Sequence, residues 1–128
     1  MGESVMISYE SLDAGFIAER FPELRERAEK LADGEFLPHV VFGGVFNDMT
    51  ISLLKRGDYS ENEMLRRIFG MYEELASEGD EDVRDLVQTT LLERSWDEKA
   101  AYERAMEMMG ERTRELWDRI AEYIAVPR

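Results

Sequence analysis

The strongest chemical signal in this sequence is a run of carboxylates between residues 73 and 85. Only Arg84 opposes the acids in this stretch, which are Glu73, Glu74, Glu78, Asp80, Glu81, Asp82 and Asp85. Carboxylates at this density speed the encounter with a basic protein and pair with arginine on contact. We therefore name these seven as candidate partner-binding residues. The alternative is a solvated corner whose acids only favour the start of a helix.

The sequence gives no support for a metal site or another cofactor. The acidic run lacks the D-x-D-x-D-G spacing and the twelfth-position glutamate of a calcium loop. His39 is the only histidine and the chain has no cysteine, so zinc would need an unusual shell of carboxylates. No glutamate stands three residues before His39, as a di-iron helix bundle requires. We predict no cofactor and no metal.

Catalytic motifs are also missing from the sequence. It contains no G-x-S-x-G, no P-loop and no G-x-G-x-x-G. Two carboxylates can hydrolyse a glycoside, but among 29 acids such a pair arises by chance. We therefore predict no catalytic residue and no enzyme activity.

A smaller polar group forms a second candidate site. Asn47 and Asp48 interrupt an apolar segment, and Glu93 follows Leu91 and Leu92. Polar groups in an apolar setting need hydrogen-bond partners. They either fix how helices pack or line a pocket for a small ligand. We name Asn47, Asp48 and Glu93 as a candidate pocket.

The sequence predicts that these residues lie on helices or at their ends. Hydrophobic residues make up 44% of the 128 positions and charged residues 35%, which fits one folded domain with wide solvated helix faces. Apolar residues recur at helical spacing, and the connections are short. We predict a single all-α domain over residues 1–128, a five- to six-helix antiparallel bundle or stacked helical hairpins. Residues 1–8 form a loose N-terminal tail.

Helix boundaries near the acidic run follow from local signals. Ser60 and Glu63 have the spacing of a capping box, and so do Ser95 and Glu98. Gly79 ends one helix and Asp80 opens the next. In the last predicted helix, Gly110 is placed to bend or interrupt the chain.

Residues 36–56 allow two interpretations. Phe42, Val45, Phe46 and Met49 follow a period near 3.6, which favours a mostly buried helix. Gly43-Gly44 would also suit the turn of a β-hairpin. We favour the helix because strict alternation is missing after the glycines.

The charge balance limits the classes of molecule that the protein is expected to bind. The 29 acidic residues exceed the 16 basic ones, for a formal net charge of −13. This argues against direct nucleic-acid binding and against attachment to an anionic membrane, since both need clustered Lys and Arg. No signal peptide or apolar run long enough to span a bilayer is visible. Together with the lack of cysteine, this favours a cytoplasmic protein that binds a basic protein partner.

Several short motifs carry a resemblance. They are Phe21-Pro22-Glu23-Leu24, Pro38-His39-Val40-Val41-Phe42-Gly43, Ile68-Phe69, and Asp82-Val83-Arg84-Asp85-Leu86-Val87 with Leu91-Leu92-Glu93. In this order they resemble a family of small bacterial helical proteins of unknown function, over the stretch from about Phe21 to Tyr123. Proteins of this kind are similar to the immunity proteins of polymorphic toxin systems. That resemblance implies a small acidic inhibitor that blocks a toxin's active site, and it assigns no functional residue.

Three functions from different classes follow. The first is an acidic protein-binding domain, an immunity-type inhibitor of a basic bacterial toxin. The second is a helical adaptor or structural domain of a bacterial assembly, in which the charge serves solubility alone. The third is a small-ligand-binding protein or enzyme with a pocket near Asn47, Asp48 and Glu93.

Overall fold

The computed structural model describes residues 6–35 and 37–124. Short 3-10 turns at Tyr9–Ser11, Pro22–Leu24 and Tyr59–Glu61 accompany the longer elements. These are α1 (Ala14–Arg20), α2 (Arg25–Ala32), α3 (Pro38–Leu54), α4 (Glu63–Glu78), α5 (Glu81–Leu86), a π-helical segment (Val87–Leu92), α6 (Glu93–Asp97), α7 (Lys99–Met108) and α8 (Glu111–Ile124). The predicted all-α fold is confirmed. Within these ranges no helix has the length and apolarity that crossing a bilayer requires.

Helix α3 forms the middle of the bundle. Pro38 stands at its first turn, where the missing N–H costs no hydrogen bond. Seven of its residues are buried, and it packs against α2, α4, α7 and the π-helical segment. The helical interpretation of this segment is confirmed and the hairpin is not formed, although Phe36 lies outside the described residues. A Cβ at Gly43 would come within 3.2 Å of the Thr90 methyl group, so the glycine lets α3 approach the π-helical segment.

Both predicted capping boxes are wrong. Ser60 lies inside a 3-10 turn, so its backbone is already coiled where a cap must be extended. Asn62 caps α4 instead, and its side chain accepts a hydrogen bond of 2.9 Å from the Leu65 N–H. Ser95 is buried within α6, and α7 begins after Glu98 without a side-chain cap.

The predicted break near Gly110 is confirmed, because Met109 and Gly110 separate α7 from α8. Since α5, the π-helical segment and α6 follow one another without interruption, they make one continuous helix. Counted in this way, the described residues form seven helices, and the division at Gly110 supplies the additional one.

The N-terminal segment is partly anchored. Residues 1–5 of the predicted loose tail lie outside the described residues. Ile7, however, forms an isolated parallel β-bridge with Gly79. Its N–H donates to the Glu78 carbonyl at 2.6 Å, and its carbonyl accepts from the Asp80 N–H at 2.9 Å. The predicted loose tail therefore does not extend over Ile7.

Candidate partner-binding surface at the α4–α5 corner

The acidic run spans the corner between α4 and α5. Gly79 ends α4, as predicted, and Asp80 caps α5 by accepting a hydrogen bond of 2.9 Å from the Val83 N–H. A Cβ at Gly79 would lie 2.3 Å from a Val83 methyl and 2.4 Å from the Leu75 carbonyl oxygen. Only glycine fits here without movement of the backbone, so the corner is tightly defined.

Three of the seven predicted acids face partners within the protein. Asp80 holds the start of α5 and also accepts a hydrogen bond of 3.0 Å from the Tyr9 N–H. Glu73 and Glu74 lie on α4 and reach two other helices. These three carboxylates serve the fold, so they are less available to a partner than the sequence suggested.

Glu73 caps α8 from the neighbouring helix. Its carboxylate accepts hydrogen bonds from the Thr113 N–H at 2.9 Å, the Thr113 hydroxyl at 2.8 Å and the Arg112 N–H at 3.1 Å. Burial raises the pKa of this carboxyl, but the hydrogen bonds from the Thr113 and Arg112 N–H groups outweigh it, and the pKa falls below its ordinary value. Glu73 therefore stays charged and supplies the cap that α8 otherwise lacks.

Glu74 pairs with Arg20 of α1. The two side chains form a bidentate contact, with Nε to Oε1 at 2.8 Å and Nη2 to Oε2 at 2.6 Å. The hydrogen bonds from Arg20 lower the pKa of Glu74 despite its partial burial. The same guanidinium lies 3.7 Å from the centre of the Phe16 ring. This contact joins α1 to α4, 54 residues apart in sequence.

The other four acids form what we call the acidic face: Glu78, Glu81, Asp82 and Asp85. All four are exposed, and none makes an ion pair with another described residue. Glu78 ends α4, and the other three lie on the first turns of α5. The structure thus brings together four of the seven predicted partner-binding residues as unpaired surface charges.

Tyr9 joins the acidic face to the first turn of α3. Burial raises the pKa of Tyr9, and the nearby charges of Asp82 and Asp85 raise it further. The centre of its ring lies 6.0 Å from that of His39, whose Nδ1 is hydrogen bonded to the Thr90 hydroxyl. His39 is therefore a packing residue at this surface.

Two exposed apolar residues stand near His39 in the chain. Leu37 precedes α3 and Val40 lies in its first turn, and they are 50% and 57% exposed. Apolar side chains beside a charged rim are typical of protein interfaces. Leu37 and Val40 are not among the predicted partner-binding residues, although both stand where Pro38 marks the start of a helix.

The π-helical segment was also missed. A turn with i→i+5 hydrogen bonds holds one residue more than an α-turn, and such turns occur often at functional sites. The extra residue lets Val87, Leu91 and Leu92 all face the core. Side chains satisfy one backbone carbonyl just before this segment and one within it: Thr89 donates to the Asp85 carbonyl at 2.8 Å, and Asn47 donates to that of Thr90 at 3.0 Å.

The candidate pocket residues have three different environments. Asn47 Nδ2 contacts the π-helical segment, while its Oδ1 is buried without a hydrogen-bond partner in the described part of the chain. Asp48 is exposed and pairs with Arg94 at 3.0 Å. Glu93 is half-buried at the start of α6. Asn47 and Asp48 thus join α3 to the continuous helix that contains α5 and α6.

The described residues form no group of ligands suited to a metal ion. Among residues 6–35 and 37–124, no three His, Asp or Glu side chains converge in a way that could hold a metal ion. The four exposed carboxylates of the acidic face can instead pair with basic side chains of another molecule.

Comparison with known proteins gives one family. Residues 15–124 match the model of a family described as a domain of unknown function, DUF7674. No curated protein and no solved structure matches the chain.

Proposed function

Because the chain belongs to the DUF7674 family, whose function is unknown, we propose from its surface that it is an acidic protein-binding domain. The observation that carries this proposal is the acidic face. Four carboxylates that form no ion pair with the described residues stand on one corner, and that corner is held by the Asp80 cap and the Ile7 bridge. Charges on a rigid support lose little freedom on binding, so more of their interaction energy favours the complex.

The chemistry of the face defines the partner. A surface rich in Arg and Lys would gain favourable pairs with Glu78, Glu81, Asp82 and Asp85 and would associate quickly. Leu37 and Val40 offer apolar contact beside this rim. The partner is therefore a basic protein with an apolar patch next to its positive charges.

More specifically, we propose that this domain is an immunity-type inhibitor. A nuclease toxin must carry basic residues to hold phosphates, and an acidic face can occupy those residues and block the toxin. The inhibitor would act in the bacterial cytoplasm, where such a toxin finds its nucleic acid. The net charge of −13 supports this form because it favours long-range attraction to a basic toxin.

The test is capture of the partner from the native host. The full chain serves as bait in three forms: wild type, a variant with Glu78, Glu81, Asp82 and Asp85 changed to Lys, and a control variant. The control changes Glu26, Glu29, Glu103 and Glu122 to Lys, which are exposed acids outside the corner. Circular dichroism first confirms that all three fold.

We expect a basic protein to bind the wild type and the control but not the corner variant. Expression of the captured protein alone should stop growth of the host, and co-expression of the wild type should restore it. Capture of a harmless assembly protein would identify the domain as an adaptor and would contradict its proposed role as a toxin inhibitor. Equal loss of the partner from both variants would show that total charge matters and the corner does not.

A further inference from the structure

A groove lined by charges of both signs runs between α5 and α8, and it includes Glu81 and Asp85 of the acidic face. It consists of two adjoining cavities of about 400 Å³ and about 270 Å³. Arg84, Leu116 and Arg119 line both of them. The larger volume falls within the range of about 300–1,000 Å³ typical of small-molecule sites.

The two arginines that line both cavities have guanidinium groups with free donors. Arg84 uses its Nε to donate to the Gly79 carbonyl at 3.1 Å, which leaves its terminal nitrogens available. The Arg119 guanidinium makes no hydrogen bond or ion pair with the residues whose side chains the structure describes. Arg112, at the smaller cavity, is instead paired with Glu115 at 3.0 Å.

Carboxylates line the larger cavity without neutralising these arginines. Glu81 and Asp85 both face it, and neither forms an ion pair within the described part of the chain. In a chain of net charge −13, unpaired arginines close to unpaired acids are unexpected, since opposite charges attract. The two arginines and the two carboxylates thus line one cavity without forming ion pairs with each other.

The π-helical segment contributes a further lining residue. Gln88, its second residue, faces the larger cavity. Its amide can both donate and accept hydrogen bonds. The groove therefore combines two guanidinium groups, two carboxylates and one amide, with Leu116 as an apolar wall.

We propose that this groove binds a small zwitterion. Its oxyanion, a phosphate or a carboxylate, lies between Arg84 and Arg119, because guanidinium groups bind both anions in a bidentate manner. Its ammonium group lies by Glu81 and Asp85. Larger polyanions are disfavoured, because those carboxylates and the overall charge repel them. The site shares Glu81 and Asp85 with the acidic face, but ligand binding in the groove requires no protein partner.

The test is a titration of the full chain, labelled with nitrogen-15, followed by nuclear magnetic resonance. Four probes separate the chemistry: phosphoethanolamine, β-alanine, inorganic phosphate and ethanolamine. We expect the Arg84 and Arg119 Nε–H and the Gln88 amide signals to shift with a zwitterion. Its affinity should exceed that of phosphate and of ethanolamine about tenfold, a difference of about 1.4 kcal/mol. Phosphoethanolamine and β-alanine differ in their oxyanion, so the one that binds with higher affinity identifies the preferred oxyanion as phosphate or carboxylate.

Variants assign the binding to the groove. Arg119→Gln changes an exposed side chain without a described hydrogen bond or ion pair, so the fold should persist while zwitterion affinity falls about tenfold. Glu81→Gln with Asp85→Asn should abolish the preference for a zwitterion over inorganic phosphate. Arg25→Gln with Arg94→Gln removes two exposed arginines elsewhere and should leave affinity unchanged.

Two results would overturn the proposal. One is the absence of saturable shifts in the wild type beyond those that sodium chloride causes at equal ionic strength. The other is an unchanged affinity in Arg119→Gln, which would place any binding outside the groove. Neither result bears on partner capture, so the two proposals fail independently.

Discussion

Glu73 on α4 caps α8 by accepting hydrogen bonds from both the N–H and the hydroxyl of Thr113, 40 residues later in the chain. The first N–H groups of a helix have no partner within the helix. A carboxylate at this end also interacts favourably with the helix dipole. One residue of the acidic run therefore joins α4 to α8, since its carboxylate supplies acceptors to the first turn of α8.

Replacing Glu73 with Ala should destabilise the fold by about 1–2 kcal/mol, the usual cost of losing a helix cap. The α8 N–H groups would lose their acceptor, and water would replace it only in part. Urea unfolding measures the change. Glu78→Ala, on the same helix but exposed, is the control and should stay within about 0.5 kcal/mol of the wild type. An equal loss in both variants would contradict the capping role.

Gly110 makes room for this cap. A Cβ at position 110 would lie 2.5 Å from the Glu73 carboxyl group. In Gly110→Ala the Glu73 carboxylate would have to move away and give up its hydrogen bonds. We therefore expect the free energy of unfolding to fall by about 1–2 kcal/mol. In the Glu73→Ala background the same change should cost less than about 0.5 kcal/mol. A double-mutant cycle that finds simple additivity would sink this explanation.

Two glycines of the α4 region should respond in opposite directions to alanine. Gly79→Ala forces a Cβ against Val83 and the Leu75 carbonyl, and we expect a loss of about 1–3 kcal/mol or more. Gly70 is exposed within α4, and a Cβ there meets nothing within 4 Å. Gly70→Ala should stabilise by about 0.5–1 kcal/mol, because alanine favours the helix. Thermal unfolding of both variants tests the close approach at the corner.

Acid should weaken the fold through its paired carboxylates. The Arg67 hydrogen bond lowers the pKa of Glu23 from 4.5 to about 2, and Arg20 lowers that of Glu74. A group with a lowered pKa in the folded state binds protons more weakly there than in the unfolded chain. Its stabilisation is complete above the unfolded value, near 4.5, and is lost as the pH falls through the folded value.

Urea midpoints between pH 6 and pH 2 measure this loss. Glu74→Gln removes one of the groups involved, so its stability should depend less on pH across the same range. Arg20→Gln, which removes the partner instead, should flatten the curve similarly. If Glu74→Gln keeps the slope of the wild type, the Arg20–Glu74 pair does not contribute to acid unfolding.

The sequence predicted those parts of the fold that depend on neighbouring residues. Apolar periodicity predicted α3 as a buried helix, and Gly79 with Asp80 marked the α4–α5 corner. Local competition made the capping boxes fail, since Asn62 stands closer to the helix start than Ser60 does. The π-helical segment was not predicted, because apolar periodicity is read with the same number of residues per turn along the whole helix.

The candidate site was less predictable because its residues divide according to distant contacts. A local charge count cannot separate Glu73, Glu74 and Asp80 from the four acids of the acidic face. Their partners Thr113, Arg20 and Tyr9 are 40, 54 and 71 residues away. Only the packing of the helices reveals which carboxylates remain in solvent.

The bridge between Ile7 and Gly79 has a practical consequence for anyone who handles this molecule. It holds Ile7 against Glu78 and Asp80, so a reporter attached to the exposed side chain of the neighbouring Met6 would lie near the acidic face. Such a label would crowd the carboxylates and mask binding that the unlabelled protein performs. A label attached to an exposed position of α2, which lies elsewhere in the bundle, avoids that obstruction.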